Sequence, residues 1–230
     1  MINDEIINSL EKVICYEFKN KALIFEALTH SSYANERKIN KISHNERLEF
    51  LGDAVLEMIS SDFLFRKYGM LNEGQLSKLR AALVCEDALA KSAKMINLGD
   101  CIFLGKGEES HGGRTRASVT SDACEALIGA MYLDGGLEPV TAFIMKYVLY
   151  DTDSFLNNID SKSRLQECIQ ATDNKAVIVY NVIEESGPEH DKLFVVEVTV
   201  NGERKGIGSG RNKKNAEKEA ALQAIKNIQN

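Results

Sequence analysis

Through residues 1–150 apolar side chains recur every three to four positions, with few runs in the two-residue rhythm of strands. That period predicts helices over 4–15, 20–28, 44–67, 73–95, 118–133 and 137–149. Glycines and polar clusters break them at 69–72, 105–113 and 134–136. GKGEESHGGRTR (105–116) reads as a glycine-rich, partly basic loop before the helix at 118. DTDSFLNNIDS (151–161) is polar, without a strong period, and reads as a linker. The pattern then changes. SRLQECIQA (163–171) predicts a helix, and AVIVYNVIEE (176–185), LFVVEVTV (193–200) and ERKGIGSG (203–210) predict strands rich in β-branched residues. SGPEH (186–190) and NG (201–202) are turn signals. NKKNAEKEAALQAIKNI (212–228) predicts an amphipathic closing helix with Ala220, Ala221, Leu222, Ala224, Ile225 and Ile228 toward the core. The chain therefore reads as multi-domain: an all-α N-terminal domain over 1–150, a linker over 151–161, and a small α+β unit of order α-β-β-β-α over 162–230.

Two of the predicted helices carry acid where apolar helices rarely do. In HNERLEFLGDAVLE (44–57), Glu46, Glu49, Asp53 and Glu57 share one helical face, opposite Leu48, Leu51, Val55 and Ile59. A solvated acidic face is the ordinary explanation of such a run. Here no Lys or Arg stands at helical spacing to offset it, so the carboxylates repel one another. A hard divalent cation would turn that repulsion into attraction. SDACEALIGAMYLD (121–134) repeats the pattern, with Asp122 and Glu125 on one face and Leu127, Ile128 and Met131 directed away. Small residues would let the two helices approach closely: Gly52 and Ala54 on one, Ala126, Gly129 and Ala130 on the other. A crossing there would gather Glu49, Asp53, Asp122 and Glu125.

Charge and cysteine content narrow the setting. The 230-residue chain has a net charge of −6, which by itself argues against a nucleic-acid binder. Its distribution says otherwise. Residues 204–230 hold 7 basic against 2 acidic side chains, while residues 1–160 hold 17 against 24. A basic patch thus closes an acidic body. The five cysteines are scattered and form no CxxC pair, which points to reduced thiols in a cytoplasm rather than zinc or a disulfide frame. No run is apolar enough to span a bilayer, and the acidic start MINDEIINSL lacks a secretory pattern, so no membrane association is expected.

ERLEFLGDAVL (46–56) resembles the signature of the ribonuclease III family. ALTHSSYANE (27–36), NEGQLSKLRAALV (72–84) and SDACEALIGAMYLD follow in the family's order. LQE (165–167), GPEH (187–190), GIGSG (206–210) and KKNAEKEAA (213–221) resemble a double-stranded RNA-binding domain. The resemblance covers nearly the whole chain and is to the short bacterial type, one nuclease domain followed by one binding domain.

The resemblance implies a Mg²⁺-dependent endoribonuclease, with Mn²⁺ as a substitute ion, that hydrolyses double-stranded RNA to 5′-phosphate and 3′-hydroxyl ends with short 3′ overhangs. Ribosomal RNA precursors are the substrates it suggests. Carried over residue by residue, Glu49, Asp53, Asp122 and Glu125 are the metal ligands. Asp53 and Glu125 are expected to have the largest catalytic effects, with Glu49 and Asp122 anchoring. Glu46 and Glu73 match further acidic positions of the catalytic valley. The family is a homodimer, and Phe50 is expected to fill a pocket of the partner. In the binding domain, Gln166, Glu167 and Gln170 are expected to meet 2′-hydroxyls, His190 to enter the next minor groove, and Lys213, Lys214 and Lys218 to face phosphates. Arg114 and Arg116 either touch substrate phosphates or belong to a plain loop. Glu57 matches no family role and reads as a solvated residue. Asn212 stands where Ser is frequent, Ser163 where Thr is, and Ser121 where Ala is usual. Two other classes stay open: a duplex-RNA-binding regulator whose first domain only dimerises, which the intact acidic set disfavours, and a calcium-binding helical protein, which would need loop ligands such as DxDxDG that do not occur.

Overall fold

The computed structural model describes residues 2–36, 43–170, 172–188 and 192–229 and divides the chain into two compact units, Met1–Thr152 and Asp153–Asn230. The first is helical. Its axis is α9 (Ala117–Gly135), whose residues are apolar or small almost all round; such a helix is stable only in an interior. Val119 through Met131 are buried apart from Asp122 and Glu125. Against it pack α2 (Lys21–Ala27), α4 (Glu46–Lys67), α6 (Glu86–Met95) and α10 (Leu137–Tyr147), the α4–α9 pairing being the most extensive.

That pairing depends on two glycines. A Cβ on Gly52 would stand 1.8 Å from the backbone oxygen of Glu125, and one on Gly129 would stand 2.3 Å from that of Leu48. The backbones touch where the sequence placed small residues. Ala54, expected beside Gly52 at the crossing, is exposed instead.

Other parts depart from the predicted elements. The single helix expected over 73–95 is two, α5 (Glu73–Leu83) and α6, separated at Val84 and Cys85. The break has no Gly or Pro; the Cys85 carbonyl caps the second helix by accepting the N–H groups of Ala88 and Leu89. A short helix α3 (Ser31–Glu36) was not predicted, and the loop at 105–116 contains α8 (Lys106–Ser110) and a 3-10 turn at Gly113–Thr115. These short elements are held by long-range partners: Glu36 accepts from the N–H groups of Lys106 and Gly107 at 2.9 and 3.1 Å, which holds its carboxyl below the usual range. Asp134 closes the other end of α9, accepting from the Tyr16 hydroxyl (2.7 Å) and the N–H groups of Lys19 (2.9 Å) and Asn20 (2.8 Å). Burial opposes its ionisation, but these three donors outweigh burial and hold the carboxyl low.

In the second unit, α11 (Thr152–Gln170) includes most of the stretch read as a linker. It is followed by the antiparallel sheet β1 (Ile178–Ser186), β2 (Leu193–Val200) and β3 (Glu203–Gly210), in that order, and by α12 (Lys213–Gln229). Leu165, Ile169, Val196, Val198, Ala216, Ala220, Ala221, Ala224 and Ile225 form its core. Of the residues expected in that core, Leu222 is only partly covered and Ile228 is exposed. Gly206 and Gly208 let α12 approach β3 to backbone contact. None of the five cysteines is disulfide-bonded, and no helix among the described residues is long and apolar enough to cross a membrane.

Candidate metal centre and nucleic-acid interface

The α4–α9 crossing brings Glu49, Asp122 and Glu125 together, each offering a carboxylate oxygen within 4.8 Å of the other two. All three are partly buried. Asp53, one turn along α4 from Glu49, is exposed and lies outside that triple, though close enough to raise the pKa of both Glu49 and Glu125. Glu46 is likewise exposed and acts on Glu49 and Asp122.

The electrostatics show how uncomfortable this arrangement is without a cation. Burial first, then the charges of Asp53, Glu49 and Asp122, push Glu125 up to about 7. Glu49 is raised by burial, then by Asp122, Glu46 and Asp53. Asp122 is raised chiefly by burial, with Glu86 and Glu46 adding, while a hydrogen bond from Ser121 and the nearby His30 pull the other way. Half-buried carboxylates that repel one another at this spacing are a hard-oxygen donor set, and a divalent ion fits it.

Glu73 is not part of this cluster within one chain. It lines a cleft with Ser61, Leu64, Phe65 and Leu76, at the far end of α4. At 1.5 Å per residue, that is about 20 Å from Glu49. Glu57, read as solvated, is partly buried and paired with Arg80 of α5 at 3.1 Å; the same guanidinium donates to Ser61 Oγ at 2.8 Å. Arg114 is spent on structure, donating to the carbonyls of Gly99 (3.1 Å) and Ile102 (2.9 Å) and pairing with Glu109 (2.8 Å). Arg116 pairs with Glu108 and donates to the His111 carbonyl. Both arginines build the loop. Phe50 is 81% exposed, and Met58 and Phe65, further along α4, are exposed as well.

His30 and Glu86 are the site neighbours that sequence reasoning did not single out. Neither lies on the acidic helices, and only the fold brings them near Asp122.

In the second unit, Lys162, Gln166 and Gln170 follow one side of α11 and line a cleft of about 270 Å³ with Ala176, Ile178 and Tyr180. Lys213 and Lys214 occupy the exposed first turn of α12, with Lys218 one turn on and partly covered. Asn212 caps that helix, its Oδ1 accepting the N–H of Asn215 at 2.8 Å, so Asn serves here as Ser would. The positive end of α12 thus coincides with its cations. His190 and the side chain of Glu167 lie outside the described residues.

Residues 20–152 match the family model described as Ribonuclease-III-like, and residues 161–228 match that of the double-stranded RNA binding motif. Among curated proteins, the chain is 45% identical to Ribonuclease 3 of Bacillus licheniformis over 227 residues, covering 98% of this chain and 91% of that one. It is 47% identical to Ribonuclease 3 of Geobacillus kaustophilus, covering 95% and 89%. With Ribonuclease 3 of Listeria monocytogenes, identity is 45% over 95% and 96%. Among solved structures, it resembles the nuclease domain of ribonuclease III from Campylobacter jejuni, described for flexibility in a region involved in dimer formation. The TM-score is 0.58 at 46% identity, over 63% of this chain and 97% of that one.

Proposed function

The chain belongs to the ribonuclease III family and is accordingly an endoribonuclease of double-stranded RNA; on that premise we propose that it acts through Mg²⁺ held by Glu49, Asp53, Asp122 and Glu125. The observation that carries this reading is the convergence of Glu49, Asp122 and Glu125 from two crossing helices onto one spot. When bound, the ion supplies an activated water and supports the departing 3′ oxygen. The carboxylates' part is to hold charge and place it: a ligating carboxylate must be ionised, and Glu49, Asp122 and Glu125 are kept poised for a cation by burial and by their neighbours. Asp53, on the exposed edge of the cluster, faces where substrate arrives. Mn²⁺, of similar hardness, substitutes.

The products are 5′-phosphate and 3′-hydroxyl ends with short 3′ overhangs, and the substrates are ribosomal RNA precursors and other structured transcripts. Two copies form a homodimer, supported by the exposed Phe50, Met58 and Phe65. In it each strand meets one acidic cluster, and Glu73, remote from its own cluster, serves the shared valley. The first unit is the catalytic and dimerisation domain. The second binds duplex RNA through Gln166, Glu167, Gln170, His190, Lys213, Lys214 and Lys218. The cytoplasm is the proposed compartment, supported by five unpaired thiols.

Incubation with a perfect RNA duplex, the equivalent DNA duplex and single-stranded RNA tests this. Only the RNA duplex is expected to be cut, only with Mg²⁺ or Mn²⁺, and its products to carry the stated ends. Full hydrolysis in excess EDTA would remove the metal from the mechanism.

Lys213→Ala with Lys214→Ala is expected to weaken duplex binding about tenfold at 0.1–0.2 M salt. It should also lower the slope of log affinity against log salt by up to about 2, since two fewer phosphates are neutralised. Binding measured across a salt series checks this; a slope equal to the parent's would mean those lysines face solvent.

A further inference from the structure

We propose that Glu217 is a specificity-determining residue of the second unit: by pairing with Lys162 it withholds a cation from phosphate, and so leaves the reading edge of α11 to the amides of Gln166 and Gln170. The inference rests on the reading above, in which that unit binds duplex RNA. Lys162, Gln166 and Gln170 stand at successive turns of α11 and line one cleft with Tyr180 of β1. Lys162 is the one cation among the lining residues, and it is held from two sides. Its ammonium pairs with the carboxylate of Glu217, on the second turn of α12. It also lies over the Tyr180 ring, 4.6 Å from the centroid. The Tyr180 hydroxyl is buried and has no hydrogen-bond partner among the described residues, so the lysine meets the ring and not the oxygen.

The lysines of α12 are disposed differently. Lys213 and Lys214 stand four and three positions before Glu217, at the spacing of a helical ion pair, yet the carboxylate reaches across to α11. Those two lysines stay exposed for phosphate, while the charges of Lys162 and Glu217 cancel. The lysine side chain is 43% exposed, so loss of its partner would free the long stem to extend into solvent. The distinction matters because the two kinds of contact read different things. Phosphate is common to RNA and DNA, and a free cation gains from either. A 2′-hydroxyl belongs to RNA alone, and a neutral amide meets it without attracting phosphate. On an RNA duplex the pose is fixed by the 2′-hydroxyl contacts and the α12 lysines. A released Lys162, on the same edge as Gln166 and Gln170, then stands over the minor groove and not at a phosphate. On DNA no 2′-hydroxyl fixes the pose, and the released ammonium settles on a phosphate. Releasing Lys162 therefore favours the wrong duplex.

Two variants of the full chain test it: Glu217→Gln, and Glu217→Gln with Lys162→Met, which replaces an ion pair of no net charge by a neutral pair. Affinity for an RNA duplex and for the DNA duplex of the same sequence is measured in EDTA from about 0.05 to 0.2 M salt, alongside thermal melting. An exposed ion pair contributes little to stability, so both variants should melt near the parent. Glu217→Gln is expected to bind the DNA duplex about threefold more tightly, with a salt dependence steeper by about 1. Its affinity for the RNA duplex is expected to stay within about 1.5-fold of the parent's, so that the preference for RNA falls by about half or more. The double variant is expected to match the parent on both duplexes. DNA affinity and salt slope unchanged in Glu217→Gln, or RNA and DNA gaining alike, overturns the proposal. So does a gain on DNA that persists in the double variant, since it would come from losing the acid and not from releasing the lysine. A Glu217→Gln that binds both duplexes more weakly makes the pair a structural tie alone, and overturns it as well. A parent without preference for the RNA duplex would instead overturn the RNA-binding reading, a different outcome from a parent that prefers RNA and a Glu217→Gln that prefers it equally.

Discussion

Glu125→Gln is expected to lower single-turnover cleavage of duplex RNA by at least about a hundredfold while leaving affinity for the same duplex within about twofold. The first figure follows from losing a ligand to an ion worth several kcal/mol of transition-state charge stabilisation, at 1.36 kcal/mol per tenfold. The second follows from the division of labour in the chain: the proposed RNA contacts lie in the second unit, and Glu125 lies in the first. The substitution also carries a thermodynamic signature. In the metal-free protein the Glu125 carboxyl is raised from 4.5 to about 7, mainly by burial. Between those pH values the folded chain binds that proton more tightly than the unfolded chain does. Stability is therefore lost as pH rises through the window, and the loss is complete above about pH 7. Gln carries no such charge. Without metal, Glu125→Gln should melt above the parent at pH 8 and level with it at pH 4. The difference at pH 8 is about 1 kcal/mol after allowing for solvent screening, or roughly 2–4 °C. Added Mg²⁺ should reverse the order, since only the parent retains the full ligand set. Cleavage assays, gel shifts in EDTA and melting curves at the two pH values measure all three. Loss of binding with cleavage intact would reject the role given to Glu125.

How much of this was legible beforehand depends on where each residue's partner sits. The acidic faces of α4 and α9 were readable because helical periodicity alone puts Glu49 with Asp53 and Asp122 with Glu125, on helices too apolar to carry acid casually. The crossing that joins the two pairs was readable from Gly52 and Gly129. The ion pair of Glu57 was not foreseen because its cation, Arg80, comes from another helix and has no fixed offset in sequence. His30 and Glu86 were invisible for the same reason. The helices α3 and α8 are too short to show a period; the Glu36 bonds to Lys106 and Gly107, seventy residues away in sequence, hold them together. The early start of α11 escaped notice because Asp153 and Ser154, in its first turn, are polar and exposed. Thr152, its first residue and the last of the first unit, is nonetheless buried, its Oγ1 accepting from Lys67 Nζ at 2.8 Å and from the Tyr68 hydroxyl at 3.1 Å within that unit. Local pattern thus revealed the acidic side chains that the fold gathers, while their neighbours from other elements needed the fold itself.

The second large effect follows from the crossing itself. Gly52→Ala places a methyl 1.8 Å from the Glu125 backbone oxygen and 2.6 Å from its carbonyl carbon. A side chain in that position would rotate aside; backbone in the middle of a 19-residue helix has nowhere to go. The two helices must separate by more than an ångström at the point where their carboxylates meet. In an open helix the same change would gain about 1 kcal/mol of propensity. Here overpacking, about 1–3 kcal/mol or more, outweighs that gain. We expect a net loss of about 1–2 kcal/mol, read as a fall of roughly 3–8 °C in melting temperature. Activity should fall further than stability. A displacement of about 1 Å at a catalytic constellation lowers rate about a hundredfold even in molecules that remain folded. Gly129→Ala, meeting the Leu48 carbonyl at 2.3 Å, should behave alike. Gly69→Ala is the control, since a Cβ there meets nothing within 4 Å. The signature of the crossing is therefore a pair of alanine variants, 77 residues apart, that both weaken Mn²⁺ binding and slow cleavage at temperatures where melting shows them fully folded, while the control does neither. Were Gly52→Ala to keep the parent's melting point and rate, α4 and α9 would not touch there, and the shared carboxylate site would lose its geometric foundation.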